Sequence, residues 1–318
     1  MSMVFFRASK DALDRITAAF DFIHPLTASM RYARKKITEL GTSCESLSEE
    51  EMQQEIDPEH KVHGVNYKRA FIDASWEVQE ELLAWFLLNN LFAIHEGWIE
   101  RIYDDIFQHY RTAAFSYNKS TFSKNLEHTG LKMKLRTYYC EPSRKSIALE
   151  SAFFDKYKDA SGLDFGKLDN YMLCYRFFKE MRNCYMHRNF TASQQLVEAY
   201  TAYLPVAVTT ALDVSEVPVA YPPVLGQSVR ISLRGVIGFS QIVQRIIVIT
   251  DIHLLCAAAA EKELVERKPT NWICRNLSAR QNRKEEQIIS YSRAAGFLKN
   301  NWAEEYKELL VRNQIFTH

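Results

Sequence analysis

Lys179-Glu180-Met181-Arg182-Asn183-Cys184-Tyr185-Met186-His187-Arg188 lies just past the middle of the 318-residue chain, and the rest is read from it. Taken with the residues from Asp169 as a helix turning about 100° per residue, it places Asn183, His187 and Glu180 within roughly 160° of Arg182. Tyr171, Cys174, Phe178, Met181 and Tyr185 fall in the opposite arc. The stretch therefore predicts an amphipathic helix with one buried stripe and one polar face.

That polar face carries Arg176, Lys179, Glu180, Arg182, Asn183 and His187. Arginine presents a fixed fork of donors that suits a phosphate and stays charged at any working pH. Histidine titrates near neutrality, so it can give and take a proton within one cycle. Asn183 and His187 are four apart, a spacing at which the amide can orient the imidazole. The set suits phosphodiester chemistry without a metal, although a solvated helix face carries the same residue types.

Arg182-Asn183-x-x-x-His187 near the end of such a helix, in an otherwise helical chain, resembles the signature of the HEPN superfamily. The resemblance implies a helical bundle over roughly 76 to 260 and a metal-independent ribonuclease of the kind found in toxin–antitoxin, abortive-infection and antiviral systems. It further implies that Arg182, Asn183 and His187 are catalytic and that two motif helices meet in a homodimer with a composite site. An acidic residue on the first long helix of the bundle, Glu96 or Glu100, would position the Arg or His. A toxin subgroup has Tyr two positions after the His, where a partner nucleotidyltransferase modifies it. This chain has Asn189 there, so that regulation is not expected.

The 40 basic and 39 acidic residues leave a net charge of +1, so attraction to RNA must come from a local patch. Ten glycines and eight prolines are few for this length, which favours long helices. The six cysteines form no C-x-x-C pair and read as reduced thiols of a cytoplasmic protein. The start of the chain lacks the basic start and long apolar core of a signal peptide. Ile246 to Ala260, the most apolar region, is too short and too charged to cross a membrane and reads as a core helix.

Along the chain, residues 8 to 40 predict a helix that His24-Pro25 interrupts, then a second short one bearing Arg31, Arg34, Lys35 and Lys36. Gly41 to Pro58 is polar and acidic and reads as a linker or surface loop. Glu59-His60-Lys61-Val62-His63 lacks the ligands to complete a metal site. Residues 73 to 110 give the longest helical pattern, its first half apolar around much of its circumference and so expected to be buried on several sides. There His95-Glu96-Gly97-Trp98-Ile99 begins like a zinc-protease helix but lacks the second His. Between 116 and 145, Lys132, Lys134 and Arg136 interleave with aromatics and are candidate RNA contacts, as are Lys179 and Arg188.

Val206 to Leu212 and Val229 to Leu233 are β-branched and predict a small hairpin. A helix from Ser232 or Arg234 to about Leu264 follows, then two more near the end. Those two run from Lys284 to about Lys299 and from Trp302 to Val311, and the last fifty residues also carry Arg275, Arg280 and Arg283, which leaves a helix-turn-helix DNA reader as a further option.

The expected fold is all-α. A HEPN-like bundle at 76–264 carries a helical extension with an acidic linker at 1–75, a small β-hairpin insertion and a helical segment at 265–318. The expected function is an endoribonuclease with Arg182, Asn183 and His187 catalytic and Glu96 and Glu180 supporting. No cofactor, metal or membrane is expected; the partners are RNA, a second copy of the chain and an antitoxin or regulatory protein. The alternative is a non-catalytic helical module binding RNA, a nucleotide or a protein.

Overall fold

The structure, a computed structural model, describes residues 3–43, 48–59, 64, 66–107 and 145–317. The chain is all-α in character. The first helix, α1 (Arg7–Ser43), lies along α3 (Trp76–Phe107). Helix α3 packs in turn on α9 (Leu233–Leu254) and on the motif helix, α6 (Leu168–His187). Helix α2 (Glu49–Ile56) lies between α1 and α3 in sequence. A helical run leads to the motif helix: α4 (Ile147–Leu149), a π-helical segment (Glu150–Phe154) and α5 (Asp155–Ser161), closed by Gly162 in the left-handed region at φ 63°. After α6 come α7 (Gln194–Tyr203) and α8 (Thr209–Leu212). Beyond α9 lie α10 (Glu261–Glu266), α11 (Gln281–Ala294) and α12 (Glu304–Arg312). Two-residue strands β1 (Arg275–Asn276) and β2 (Phe316–Thr317) pair in parallel, with Arg275 opposite Phe316.

Four expectations need correction. Pro25 does not interrupt the first helix; it sits inside α1. Proline removes one helical hydrogen bond, but buried Ile16, Ile23 and Ile37 continue a single stripe on either side of it, and tertiary packing holds the helix together. The acidic stretch is not all loop. Ser48 and Glu51 form a reciprocal capping box that starts α2, and Met52 anchors it with 2% exposure.

The expected hairpin is absent among the described residues. Pro205, Pro218, Pro222 and Pro223 supply no N–H for a ladder, and the Val229 N–H donates to the Phe190 carbonyl at 2.7 Å. This segment instead packs into a notch of α9, where a Cβ on Gly235 would lie 2.1 Å from the Val219 carbonyl oxygen. Finally, the first half of α3 is not buried on all its apolar sides. Leu82 and Phe86 are 58% and 60% exposed, Phe86 beside Phe22 of α1, while Trp85, Leu88, Leu91 and Phe92 are buried.

One hydrophobic cluster runs from Val4 to Phe316 and joins the two ends of the chain. Near its base the Phe5 and Phe6 N–H groups donate to Asp251 of α9 at 2.5 and 3.0 Å, and the Arg7 N–H donates to Glu263 at 2.9 Å. Arg267 lies over Phe297 at 4.1 Å and donates to the carbonyls of Phe5, Ala295 and Gly296. Donors of the opening turn thus find carboxylates from the far half of the chain. Helix α9 is long and apolar enough to cross a membrane by length and composition, but 72% of its apolar window is buried inside the fold.

Candidate functional site

The motif helix is anchored over more of its circumference than its wheel predicts. Tyr171, Cys174, Phe178 and Met181 are buried as expected, and so are Leu168, Met172, Tyr175, Phe177 and Cys184. Phe178 stacks on Phe239 of α9 at 4.4 Å. Tyr175, which lies near the Arg182 side of the wheel, reaches His95 of α3, hydroxyl to Nδ1 at 3.0 Å. His95 is therefore a core histidine that ties two helices together. Burial, with the charge of Lys179 as the lesser cause, holds its pKa down at about 3, so it is neutral.

At the far end of α6, Tyr185 stacks on Trp85 of α3, and Phe190 meets both rings edge-on. The helix stops at His187 because Asn189 and Phe190 take left-handed backbone conformations, φ 47° and 65°. The exit strand is then pinned: Ala192 N–H donates to the Gln227 carbonyl, and Thr191 and Ser228 form an isolated bridge. The end of the helix that carries the motif is held from two directions.

Arg182 leans toward α3 and is 23% exposed at its side chain. One of its terminal nitrogens lies 3.7 Å from Glu96 Oε1, close enough for an ion pair but too far for a hydrogen bond, and its guanidinium sits 5.9 Å from the Phe92 ring centre. Its Nε is buried with no hydrogen-bond acceptor among the described residues. The guanidinium is steered by Glu96 and Phe92, and the donors left open on its exposed side are the terminal nitrogens, not the buried Nε. Phe92 and Glu96 are four apart on α3, the spacing that puts them on one helix face.

Asn183 donates from Nδ2 to Glu180 Oε2 at 3.3 Å rather than engaging His187. His187 is exposed at the last turn, and among the described residues its ring has no hydrogen-bond partner. Arg188 is exposed beside it. Glu96, expected to position the Arg or the His, thus lies beside Arg182 across the α3–α6 contact, whereas Asn183, expected to orient His187, turns to Glu180 on its own helix. Sequence reasoning missed the Trp85, Tyr185 and Phe190 cluster that fixes the helix end. The signal was present, since Trp85, Phe92 and Glu96 fall at spacings of seven and four along α3.

Lys132, Lys134 and Arg136 lie outside the described residues. Among the described residues no group of three or more His, Cys, Asp or Glu is placed to hold a metal ion. Cys174, Cys184 and Cys256 are buried free thiols and Cys274 an exposed one. Comparison with protein-family models, with curated proteins and with solved structures gives no match to this chain.

Proposed function

We propose that the chain is a metal-independent endoribonuclease of the HEPN type, working as a homodimer whose two motif helices form one cleft. The observation that carries this reading is that a solvent-facing His187 and a part-exposed Arg182, leaning on Glu96 and Phe92 with no hydrogen bond among the described residues, lie on one anchored helix. An arginine with open donors is poised for phosphoryl oxygens, and an exposed imidazole is free to reach a ribose.

In the reaction the ribose 2′-oxygen forms a bond to the adjacent phosphorus and the bond from phosphorus to the 5′-oxygen breaks. One imidazole takes the 2′-hydroxyl proton and the other gives a proton to the departing 5′-oxygen; the two come from the two copies of His187. Arg182 stabilises the charge that builds on the phosphoryl oxygens. Glu96 and Phe92 hold the guanidinium beside the substrate, and Glu180 holds the Asn183 amide. The products carry a 2′,3′-cyclic phosphate and a 5′-hydroxyl. Toxicity or antiviral defence, with an antitoxin or regulatory protein as partner, is the setting this chemistry fits.

The test is cleavage of a panel of single-stranded and structured RNA in excess EDTA by wild type and His187→Ala. Cyclic-phosphate ends formed by wild type and lost in the variant support the assignment. Full activity from a strictly monomeric protein overturns the composite site.

A second reading has its own observation, because the contact of Arg182 with Glu96 is also what a purely structural arginine would make. In that case the chain is a non-catalytic helical binding module, and RNA binding without cleavage is the expected result.

A further inference from the structure

A cavity of about 510 Å³ opens far along the sequence from the motif helix, between the β1/β2 pair and α11. Its size falls in the range of roughly 300–1,000 Å³ usual for small-molecule sites. The walls are fixed by bonds that span it: Gln287 accepts from the Ser278 N–H at 2.8 Å and donates to the Asn276 carbonyl at 3.2 Å, and Trp272 Nε1 donates to the Ile315 carbonyl. The shape therefore belongs to the fold and not to loose side chains.

Its lining has three chemical parts. Arg275 and Arg283 are exposed, both face the cavity, and neither has an acidic partner among the described residues. Two guanidinium forks line one space, and the donor geometry of each matches a phosphate. Trp272 forms part of the wall and is half-buried. Its aromatic neighbours Tyr291 and Phe316 meet it at 70° and 87°, so neither stacks on it. Glu286 supplies a carboxylate to the same cavity. A carboxylate disfavours a ligand that is anionic throughout and favours one whose other end donates hydrogen bonds.

From this division we infer that the cavity binds a single phosphorylated nucleoside, with the phosphate on Arg275 and Arg283, the base against Trp272, and a base amine or ribose hydroxyl on Glu286. The ligand is either a free nucleoside monophosphate or the phosphorylated end of an RNA, which present the same chemistry. The site is independent of the cleavage proposed at the motif helix, and a fully inactive His187→Ala protein keeps it.

The experiment is calorimetric titration of the full chain, in wild type and in His187→Ala, with 5′-AMP, adenosine and inorganic phosphate. AMP is expected to saturate a single site in both proteins and to bind about ten-fold or more tighter than either fragment. Arg275→Glu combined with Arg283→Glu changes only exposed side chains and is expected to weaken AMP by about a hundred-fold. A thermal melt confirms that this protein is folded. Glu286→Gln is expected to retain phosphate binding while narrowing the gap between AMP and phosphate. A short RNA bearing a 5′-phosphate that displaces AMP, where its 5′-hydroxyl twin does not, identifies an RNA end as the source; failure of both to displace it identifies the free nucleotide. No AMP binding, equal binding of AMP and phosphate, or AMP binding indifferent to the double charge reversal overturns the proposal.

Discussion

The Tyr185 ring stacks on Trp85 with centroids 4.7 Å apart and planes 17° from parallel, two residues before the imidazole of His187. The pair joins α6 to α3 at the point where the motif helix ends. Removing a buried Trp side chain typically costs about 3–5 kcal/mol. Trp85→Ala is expected to fall in that range by urea denaturation, whereas Trp85→Phe, which keeps a ring, should lose less than half as much. A Trp85→Ala protein within about 1 kcal/mol of wild type means the end of α6 is held by something else.

Arg182 and Glu96 separate catalysis from stability. The pair is loose and partly exposed, so Glu96→Gln is expected to change unfolding free energy by less than about 1 kcal/mol. Loss of a charge-stabilising donor typically costs on the order of a hundred-fold in rate, and Arg182→Ala should lose at least that much RNA cleavage while remaining folded. Cleavage rates beside circular dichroism melts decide between this and an arginine kept only for packing.

Two buried groups pull stability in opposite directions with pH. His95 stays neutral down to about pH 3, whereas the unfolded chain takes up its proton near 6.5. Its contribution is present above 6.5 and is lost as pH falls toward 3. Burial pushes Asp251 up to about 7 from an ordinary 3.8, against the pull of its hydrogen bonds from Ser9, Phe5 and Phe6. Its contribution is present below 3.8 and is lost as pH rises through 7. The ceilings are roughly 5 kcal/mol for His95 and roughly 4 kcal/mol for Asp251, and the two effects overlap between about pH 4 and 6.5. Asp251→Asn should therefore make stability fall more steeply on acidification than in wild type, and His95→Gln should make it rise relative to wild type. Urea midpoints across that window provide the measurement; identical slopes in all three proteins rule the linkage out.

The close approach at α9 leaves no room for a methyl group. Gly235→Ala sets a Cβ 2.1 Å from the Val219 carbonyl, a backbone atom with nowhere to swing. Overpacking of this kind costs about 1–3 kcal/mol. Gly97→Ala, where an added Cβ meets nothing within 4 Å, is the control and should be neutral or slightly stabilising by thermal melt.

The long elements were legible because their apolar periods are long: α3 and α6 follow from spacing alone, as does the buried face built on Tyr171, Cys174, Phe178 and Met181. Local rules misled where packing overrode them. Pro25 is a helix breaker by chemistry, yet Ile23 and Ile37 keep their stripe through it. The β-branched residues from Val206 to Leu212 promised a strand, but the N–H groups of the expected partner are taken elsewhere, Val229 by the Phe190 carbonyl and Ile231 by Glu81, and α8 forms instead. The Ser48–Glu51 box was hidden within a run read only for its charge. At the site, Glu96 came forward, with Glu100, only through the resemblance of the motif, and the structure sets Glu96 beside Arg182; residue types and helical spacing alone do not pair residues of two different helices. They gave no means of deciding that Asn183 would turn to Glu180, because positions three and four away are equally near on a helix.

The clasp of Phe5 by Asp251 spans 246 residues, and the same ring stacks on Phe297. Closing such distant contacts is slow, since the entropy of the loop is lost before any contact repays it. During synthesis the opening turn of α1 emerges long before either of its partners exists. The nascent chain must therefore pass through a stage with Phe5 and Phe6 still uncovered, at which chaperone binding competes directly with completion of the core.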